Sequence, residues 1–474
     1  MLDIKRKICN FAIKSKQKYK MEQRQYITRQ IDKALIAWKN NPRHKPLLLR
    51  GARQVGKSSS VRHLGKQFEN FVEVNFERKP QFAQVFQGDL SARHIVETLR
   101  SITGEAIIPG KTLLFLDEIQ MCQEAISALR FFWEDLPELH VIAAGSLLEF
   151  ALNEIPTFGV GRIHSMFMYP MSFDEFLGAL GMQSLLQAKE IANPTQPLLP
   201  VLHDQLVVLF RTYLMVGGMP EVVSTWVSTH SYEECQSVQK EIVYTYEVDF
   251  AKYKKRANTT LLRLTLHSAA HQIGSKFVYS QVSRDFRSVQ IKEALSLLTL
   301  AGLLIPVYNT AANGFPLGAE ADESCAKYLF LDSGLLLSIL GMDLGSITTL
   351  SEQILIGNAT DLVNKGHITE MVAGLEIIKN MPPDSIPSLF FWMRSAKSSL
   401  AEVDYVMAKN MKILPIEVKA EVRGGMKSLY AFMETKHIDH AIRTSLENFG
   451  SFTKDNGKID IYPLYALRSL VIMK

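Results

Sequence analysis

Leu47-Leu48-Leu49-Arg50-Gly51-Ala52-Arg53-Gln54-Val55-Gly56-Lys57-Ser58 decides how the rest of the chain is read. The apolar run reads as a buried strand, and Ser59, Val61 and Leu64 carry the chain onward as a helix. Between them, the spacing G-x-x-x-x-G-K-S is that of a loop that cradles phosphate. Gly51 and Gly56 permit the backbone turns that aim N–H groups inward at phosphate oxygens. Ala52, Arg53, Gln54, Val55 and Ser59 complete the cradle. Lys57 is placed to reach the β- and γ-phosphates, and the Ser58 hydroxyl to sit on Mg²⁺. The positive end of the helix dipole adds to the attraction.

A second stretch, Lys111-Thr112-Leu113-Leu114-Phe115-Leu116-Asp117-Glu118-Ile119-Gln120, follows about 60 residues later. Leu113 to Leu116 read as another buried strand, with two acids at its end. Taken alone, such a strand could simply finish at a solvated edge. After a phosphate loop, Asp117 is expected to hold Mg²⁺ through water, and Glu118 to polarise the attacking water. Catalysis in such a site is mostly positioning and charge neutralisation, so the expected reaction is ATP hydrolysis with Mg²⁺.

The chain of 474 residues suggests about three domains. A composition 47% hydrophobic and 21% charged can bury ordinary cores and excludes a disordered chain. The formal charge of +5 permits contact with nucleic acid without requiring it. Cys9, Cys122, Cys235 and Cys325 lie far apart, with neither metal-finger spacing nor a disulfide framework, which points to a reducing cytoplasm. No apolar run is long enough to span a bilayer and no secretory signal is visible, so no membrane partner is expected.

Residues 1–20 carry Lys5, Arg6, Lys7, Lys14, Lys16, Lys18 and Lys20 against Asp3. They read as a basic arm, as a disordered tail, or as an over-extended start with Met21 the true first residue. From Tyr26, apolar positions at Ile27, Ile31, Leu35 and Trp38 predict a helix that Asn40-Asn41-Pro42 breaks. Phe71 to Phe76 alternates as a second strand, and Val141 to Ser146 reads as a fourth. Strands alternating with helices predict an α/β domain, a parallel sheet with its ligand at the strand C-termini.

Gly161-Arg162 and Pro170-Met171-Ser172-Phe173-Asp174-Glu175-Phe176 follow, together with Asp117-Glu118-Ile119-Gln120 and Gly145-Ser146 already met. This set resembles a widespread prokaryotic family of AAA-type P-loop ATPases. Its members fuse the P-loop NTPase domain to a C-terminal domain of unknown function related to the PD-(D/E)XK nuclease fold. Tyr213-Leu214, Gly217-Gly218-Met219-Pro220-Glu221 and Tyr246-Glu247-Val248-Asp249 resemble further family stretches. The resemblance implies ATP rather than another nucleotide, and Ser146 as a γ-phosphate sensor. It implies Arg162 as a trigger of hydrolysis from its own subunit or from a neighbour in a homo-oligomer, because a guanidinium offsets charge growing on phosphoryl oxygens. On the residues alone, Ser146 also reads as a cap before Leu147, and Arg162 as a surface ion pair. Gly217-Gly218 and Pro220 read structurally, ending one helix and starting the next. Asp249 has no role that its position assigns.

Residues 21–182 are thus expected to form the ATPase domain, and 183–265 a helical lid. Residues 266–345 read as a winged-helix-like domain. Ala269 to Gly274 closes one helix, Tyr279 to Phe286 holds a short second, and Val289 to Ala301 a third. Two strands, Leu303 to Val307 and Lys327 to Leu331, flank a loop with Asn313-Gly314. Such a unit suits DNA, with Arg284, Arg287 and Lys292 on phosphates; it also serves for packing alone, and few side chains beyond Gln290 and Lys292 could read bases.

Residues 346–474 hold a second constellation. A helix opens over Gly366 to Val372, and strands are expected at Leu389–Trp392, Ala401–Val406 and Ile413–Ala420. Neighbouring strands would then deliver Asp404 and the pair Glu417-x-Lys419, with Glu370 added from the helix. Gathered carboxylates bind Mg²⁺ or Mn²⁺, which lowers the pKa of a bound water. Lys419 would orient that water or steady developing charge. The pattern resembles PD-(D/E)XK, a restriction-endonuclease-like α/β domain. It also fits a charged strand edge with an Asp404–Lys419 ion pair, and relatives of this fold that only bind leave a nucleotide-regulated switch as the alternative.

Overall fold

The computed structural model describes residues 26–146, 148–149, 152, 161–253, 257–342, 365–396, 399–420, 425–454 and 457–472. The basic stretch 1–20 and Met21 lie outside them. The chain begins with α1 (Gln30–Asn40), β1 (Leu47–Arg50), α2 (Lys57–Gly65), β2 (Asn70–Asn75), α3 (Ala92–Thr103), β3 (Thr112–Asp117), α4 (Gln123–Asp135), β4 (His140–Ala144) and β5 (His164–Phe167). These strands form one parallel sheet in the order β2-β3-β4-β1-β5. Every residue of β3 and β4 is buried, as expected of strands covered by helices on both faces. β4 lies between β1 and β3, so the phosphate loop, the two acids and Gly145-Ser146 all leave the sheet at one edge. The expected helix at Tyr26 starts later, at Gln30, because Arg29 is extended at its N-terminus. Tyr26 and Ile27 instead line a cleft.

A helical region follows: α5 (Phe173–Ala179), α6 (Gln183–Ile191), α7 (Pro200–Val216), α8 (Pro220–Thr229) and α9 (Tyr232–Asp249). The Pro-Met-Ser-Phe-Asp-Glu-Phe stretch has a physical account here. Ser172 Oγ accepts from Glu175 N at 3.4 Å and Glu175 Oε2 accepts from Ser172 N at 2.8 Å, a capping box for α5. The other Glu175 oxygen receives Arg29 Nε at 2.8 Å, tying α5 to the N-terminus of α1. Gly217-Gly218 ends α7, and Pro220 opens α8. Gly218 N donates to Asp332 Oδ2 at 2.6 Å and its carbonyl accepts from Met171 N at 2.6 Å.

Then come α10 (Thr259–His271), α11 (Ser288–Leu300), the antiparallel hairpin β6 (Leu304–Thr310) and β7 (Ala321–Phe330), and α12 (Ser333–Ile339). The short helix expected at 279–286 is a single turn at Tyr279–Gln281. The last elements are α13 (Lys365–Lys379), β8 (Phe390–Ala396), β9 (Ser399–Lys409), β10 (Lys412–Val418), α14 (Lys427–Lys436), β11 (His440–Ser445), β12 (Gly450–Lys454), β13 (Gly457–Pro463) and α15 (Arg468–Ile472). The boundary expected between residues 345 and 346 does not divide the sheet. One eight-stranded mixed sheet runs β12-β13-β11-β10-β9-β8-β6-β7, with β6 pairing β8 in parallel. The open edge of β6 offers unpaired backbone groups, and β8 takes them up.

Candidate functional site

The phosphate loop leaves β1 at Arg50 and turns at Gly51, whose φ is +140°. A Cβ there would lie 2.1 Å from the Met168 carbonyl, so the residue after β5 enforces glycine at that point. Gly56, at φ +102°, caps α2 and lets the loop close. Lys57 is buried and donates from Nζ to the carbonyls of Gly51 at 2.8 Å and Ala52 at 2.7 Å. Burial pushes its ammonium down to about 8, against the pull of Glu118 and Asp117. Phosphate charge delivered to the loop would push it back up.

The sheet order brings the second motif to the first. Ser58 Oγ donates to Asp117 Oδ1 at 3.0 Å, and Asn75 Nδ2 donates to Asp117 Oδ2 at 2.9 Å. Burial raises the Asp117 carboxyl. A hydroxyl and a carboxylate held together beside a lysine are the oxygen donors Mg²⁺ takes in phosphate sites, so this pair fits the ion. Glu118 sits at φ +53°, a left-handed turn that points the backbone out of the strand. Its Oε2 accepts from Gln120 Nε2 at 2.6 Å and from Ser146 Oγ at 3.3 Å. Ser146 therefore faces the Glu118 carboxylate. The cleft is about 550 Å³, with Lys57, Ser58, Ser59, Asp117, Glu118 and Ser146 along its wall. Sequence reasoning missed Tyr26, whose ring stacks on His63 at 4.0 Å in the same cleft.

Arg162 is not brought to this cleft. It lies two residues before β5, beside Lys45 at the opposite edge of the sheet, and pairs with Glu134 at 2.6 Å. Five residues of strand rise separate it from the level of the loop, about 16 Å. Within one subunit the trigger role is therefore corrected to a surface ion pair.

The C-terminal constellation does assemble. β9 and β10 pair antiparallel, and Val418 N donates to Asp404 Oδ2 at 2.7 Å. Lys419 Nζ donates to Glu417 Oε1 at 2.6 Å, while Glu417 Oε2 is buried and makes no hydrogen bond. Two residues here went unseen in the sequence. Glu402 joins Glu370 and Asp404, and the ligand oxygens of these three lie within 4.8 Å of one another. Lys327, from β7, is buried and donates from Nζ to Glu370 Oε1 at 2.7 Å and to Glu402. Glu402 stands two residues before Asp404 on one strand, so a period-two reading could have found it. Nothing local in the sequence links Lys327 to residue 370.

Four carboxylates face two ammonium groups, which leaves two negative charges in a buried place. Burial, reinforced by Asp404, pushes Glu370 up to about 8 and Glu417 up to about 7. Burial also raises Asp404. Burial acts to lower Lys327, but Glu370 and Glu402 outweigh it and hold the ammonium above its usual range. Two protons or one divalent cation would neutralise the remainder, and an all-oxygen donor set with one orphaned oxygen fits Mg²⁺ or Mn²⁺.

Residues 43–177 match the family model of an AAA domain. Residues 208–345 match a domain of unknown function (DUF8612), and residues 365–466 another (DUF4143). No curated protein matches the chain. Among solved structures, the chain is similar to a Walker-type ATPase of Pyrococcus abyssi at 15% identity and TM-score 0.42, over 66% of this chain and 96% of that one. It is similar to the Aeropyrum pernix Orc1 protein in complex with DNA at 13% identity and TM-score 0.29, over 66% and 90%. A third is a Pyrococcus horikoshii signal-transduction ATPase with a tetratricopeptide-repeat sensor, at 12% identity and TM-score 0.26, over 74% and 48%. Among the described residues, no helix is long and apolar enough to cross a membrane.

Proposed function

We propose, from the premise that residues 43–177 are a P-loop ATPase domain of the AAA type, that this chain hydrolyses ATP and uses its nucleotide state to control a metal-dependent, nuclease-like C-terminal domain acting on DNA. The observation that carries the first half is the meeting of Ser58 and Asp117 at 3.0 Å beside Lys57. Lys57 would ride on the β- and γ-phosphates, and Ser58 with Asp117 would hold Mg²⁺. That ion supplies charge neutralisation along the phosphates. Glu118 would orient the attacking water and take its proton, with Ser146 fixing the carboxylate.

The second half is supported by the convergence of Glu370, Glu402, Asp404, Glu417 and Lys419. When bound, a divalent cation there supplies a water of lowered pKa. Asp404 and Glu370 would hold the ion, and Lys419 would steady charge on the phosphate under attack. The hairpin after α11 supports a winged-helix reading, with Arg284, Arg287 and Lys292 as phosphate contacts.

One observation favours a second reading, a nucleotide-driven binding switch without cleavage. Lys327 already pairs with two members of the carboxylate triad, Glu370 and Glu402, as an internal cation would in a domain that only binds. The test is one set of assays on the full chain. ATP turnover with Mg²⁺ is compared with Lys57→Ala. Cleavage of DNA and RNA with Mg²⁺ or Mn²⁺, with and without ATP, is compared with Asp404→Ala. Turnover surviving Lys57→Ala refutes the first half; cleavage absent throughout, or undiminished in Asp404→Ala, refutes the nuclease and leaves the switch.

A further inference from the structure

With Arg162 at the far edge of the sheet, any cation that joins Lys57 at the γ-phosphate within one subunit has to come from the cleft itself. The arginines that line it are Arg29, Arg53 and Arg62. Arg29 is 6% exposed and fully engaged by Glu175, the Val55 carbonyl and the Tyr169 carbonyl. Arg62 forks onto Glu73 at 2.9 and 2.7 Å, and its NH2 lies 3.6 Å from Asp117 Oδ2, so it is held between two carboxylates. Arg53 differs from both. It stands four residues before Lys57, at the crown of the loop, where its electrostatic partners are Lys57, Glu118 and Asp249. Its side chain is 33% exposed and lines the cleft.

We propose that Arg53 is the side chain that contacts the γ-phosphate of bound ATP, and that Asp249 is the anion it leaves to do so. This rests on the reading that the cleft binds ATP. Arg53 NH1 lies 2.5 Å from Asp249 Oδ2. One turn earlier on α9, the Tyr246 hydroxyl donates to the Arg53 carbonyl at 2.7 Å. Residues three apart share a helix face, so α9 grips one loop residue twice, through its backbone and through its side chain. A terminal phosphate carries more charge than a carboxylate and matches the guanidinium fork at least as well. ATP therefore competes for the Asp249 grip, while ADP, with no γ-phosphate, leaves it closed. The Tyr246 contact, made to the backbone, persists in both states and keeps α9 beside the loop. Asp249, which the sequence left without a task, becomes the element that distinguishes the two nucleotides.

The experiment titrates fluorescent, slowly hydrolysed ATP and fluorescent ADP, each with Mg²⁺, into the full chain. Arg53→Ala is expected to weaken the triphosphate at least tenfold and leave the diphosphate within twofold. Asp249→Asn, which keeps size and removes charge, is expected to tighten the triphosphate severalfold with the diphosphate unchanged. A loop damaged merely in structure would lose both nucleotides alike. Equal loss of both in Arg53→Ala, no change in either, or a weakened triphosphate in Asp249→Asn overturns the proposal. Should Arg53→Ala fail to fold, Asp249→Asn decides alone. Lys57→Ala sets the baseline: wild-type chain that binds neither nucleotide, like Lys57→Ala, removes the ATP reading itself and this inference with it.

Discussion

Loading the C-terminal cluster with Mn²⁺ should expel protons, because burial favours protonated carboxyls there. Glu370 titrates near 8 and Glu417 near 7, both pushed up by burial. At pH 7 the buried carboxyls therefore still share protons that a bound cation must displace, and the release should be on the order of one proton. At pH 9 the release should largely vanish, and the apparent affinity should rise as the pH rises toward that value. The stability of the metal-free chain runs the other way. A carboxyl raised above its unfolded value of about 4.5 binds more protons folded than unfolded, so stability falls as pH rises from about 5 to about 8. Bound metal should flatten that slope. Isothermal titration in buffers of different ionisation enthalpy, without nucleotide and with Asp404→Asn as background, counts the protons directly. Binding with no proton release at pH 7, or with release unchanged at pH 9, refutes the electrostatic account of the cluster.

Other outcomes follow from single contacts. Glu118→Gln should lower ATP turnover about 10²-fold or more while nucleotide affinity stays within threefold, as steady-state kinetics and equilibrium binding would register. Lys327→Met leaves buried carboxylates without a partner and should cost about 3–5 kcal/mol, a fall in melting temperature of about 6–20 °C. The loss should be larger at pH 9 than at pH 7, because Glu370 takes up its proton between them; thermal denaturation at those two pH values checks both. Arg162→Ala breaks an exposed pair with Glu134 and should change stability by less than about 1 kcal/mol. ATP turnover in that variant should stay within twofold in dilute protein; a tenfold fall would place Arg162 in a neighbouring subunit's cleft.

The nucleotide cleft was largely legible because its parts are local. A strand, a glycine-bounded loop and a helix start are contiguous from Leu47 to Ser58, and Asp117-Glu118 ends a run whose burial its composition announces. Strand order then brought Ser58 and Asp117 together without needing to be guessed. Arg162 misled because its neighbours in sequence say nothing of which end of β5 it occupies. Tyr26 misled for a similar reason: apolar spacing continued through it, but the extended Arg29 stops α1 and releases Tyr26 to the cleft. In the C-terminal sheet, Asp404 and Glu417-x-Lys419 were readable from strand period. Lys327 was not, since its partner Glu370 lies 43 positions away, on a helix rather than a paired strand.

The shared eight-stranded sheet has a practical corollary for anyone cloning pieces of this polypeptide. A fragment started at Lys365 would strip β6 from β8, leaving a raw border whose Met393 amide has lost its acceptor on Asn309. It would also discard the ammonium that quiets two acidic groups. Such a truncation invites intermolecular strand pairing in the expression host, whereas one begun ahead of Leu304 carries its own selvedge with it.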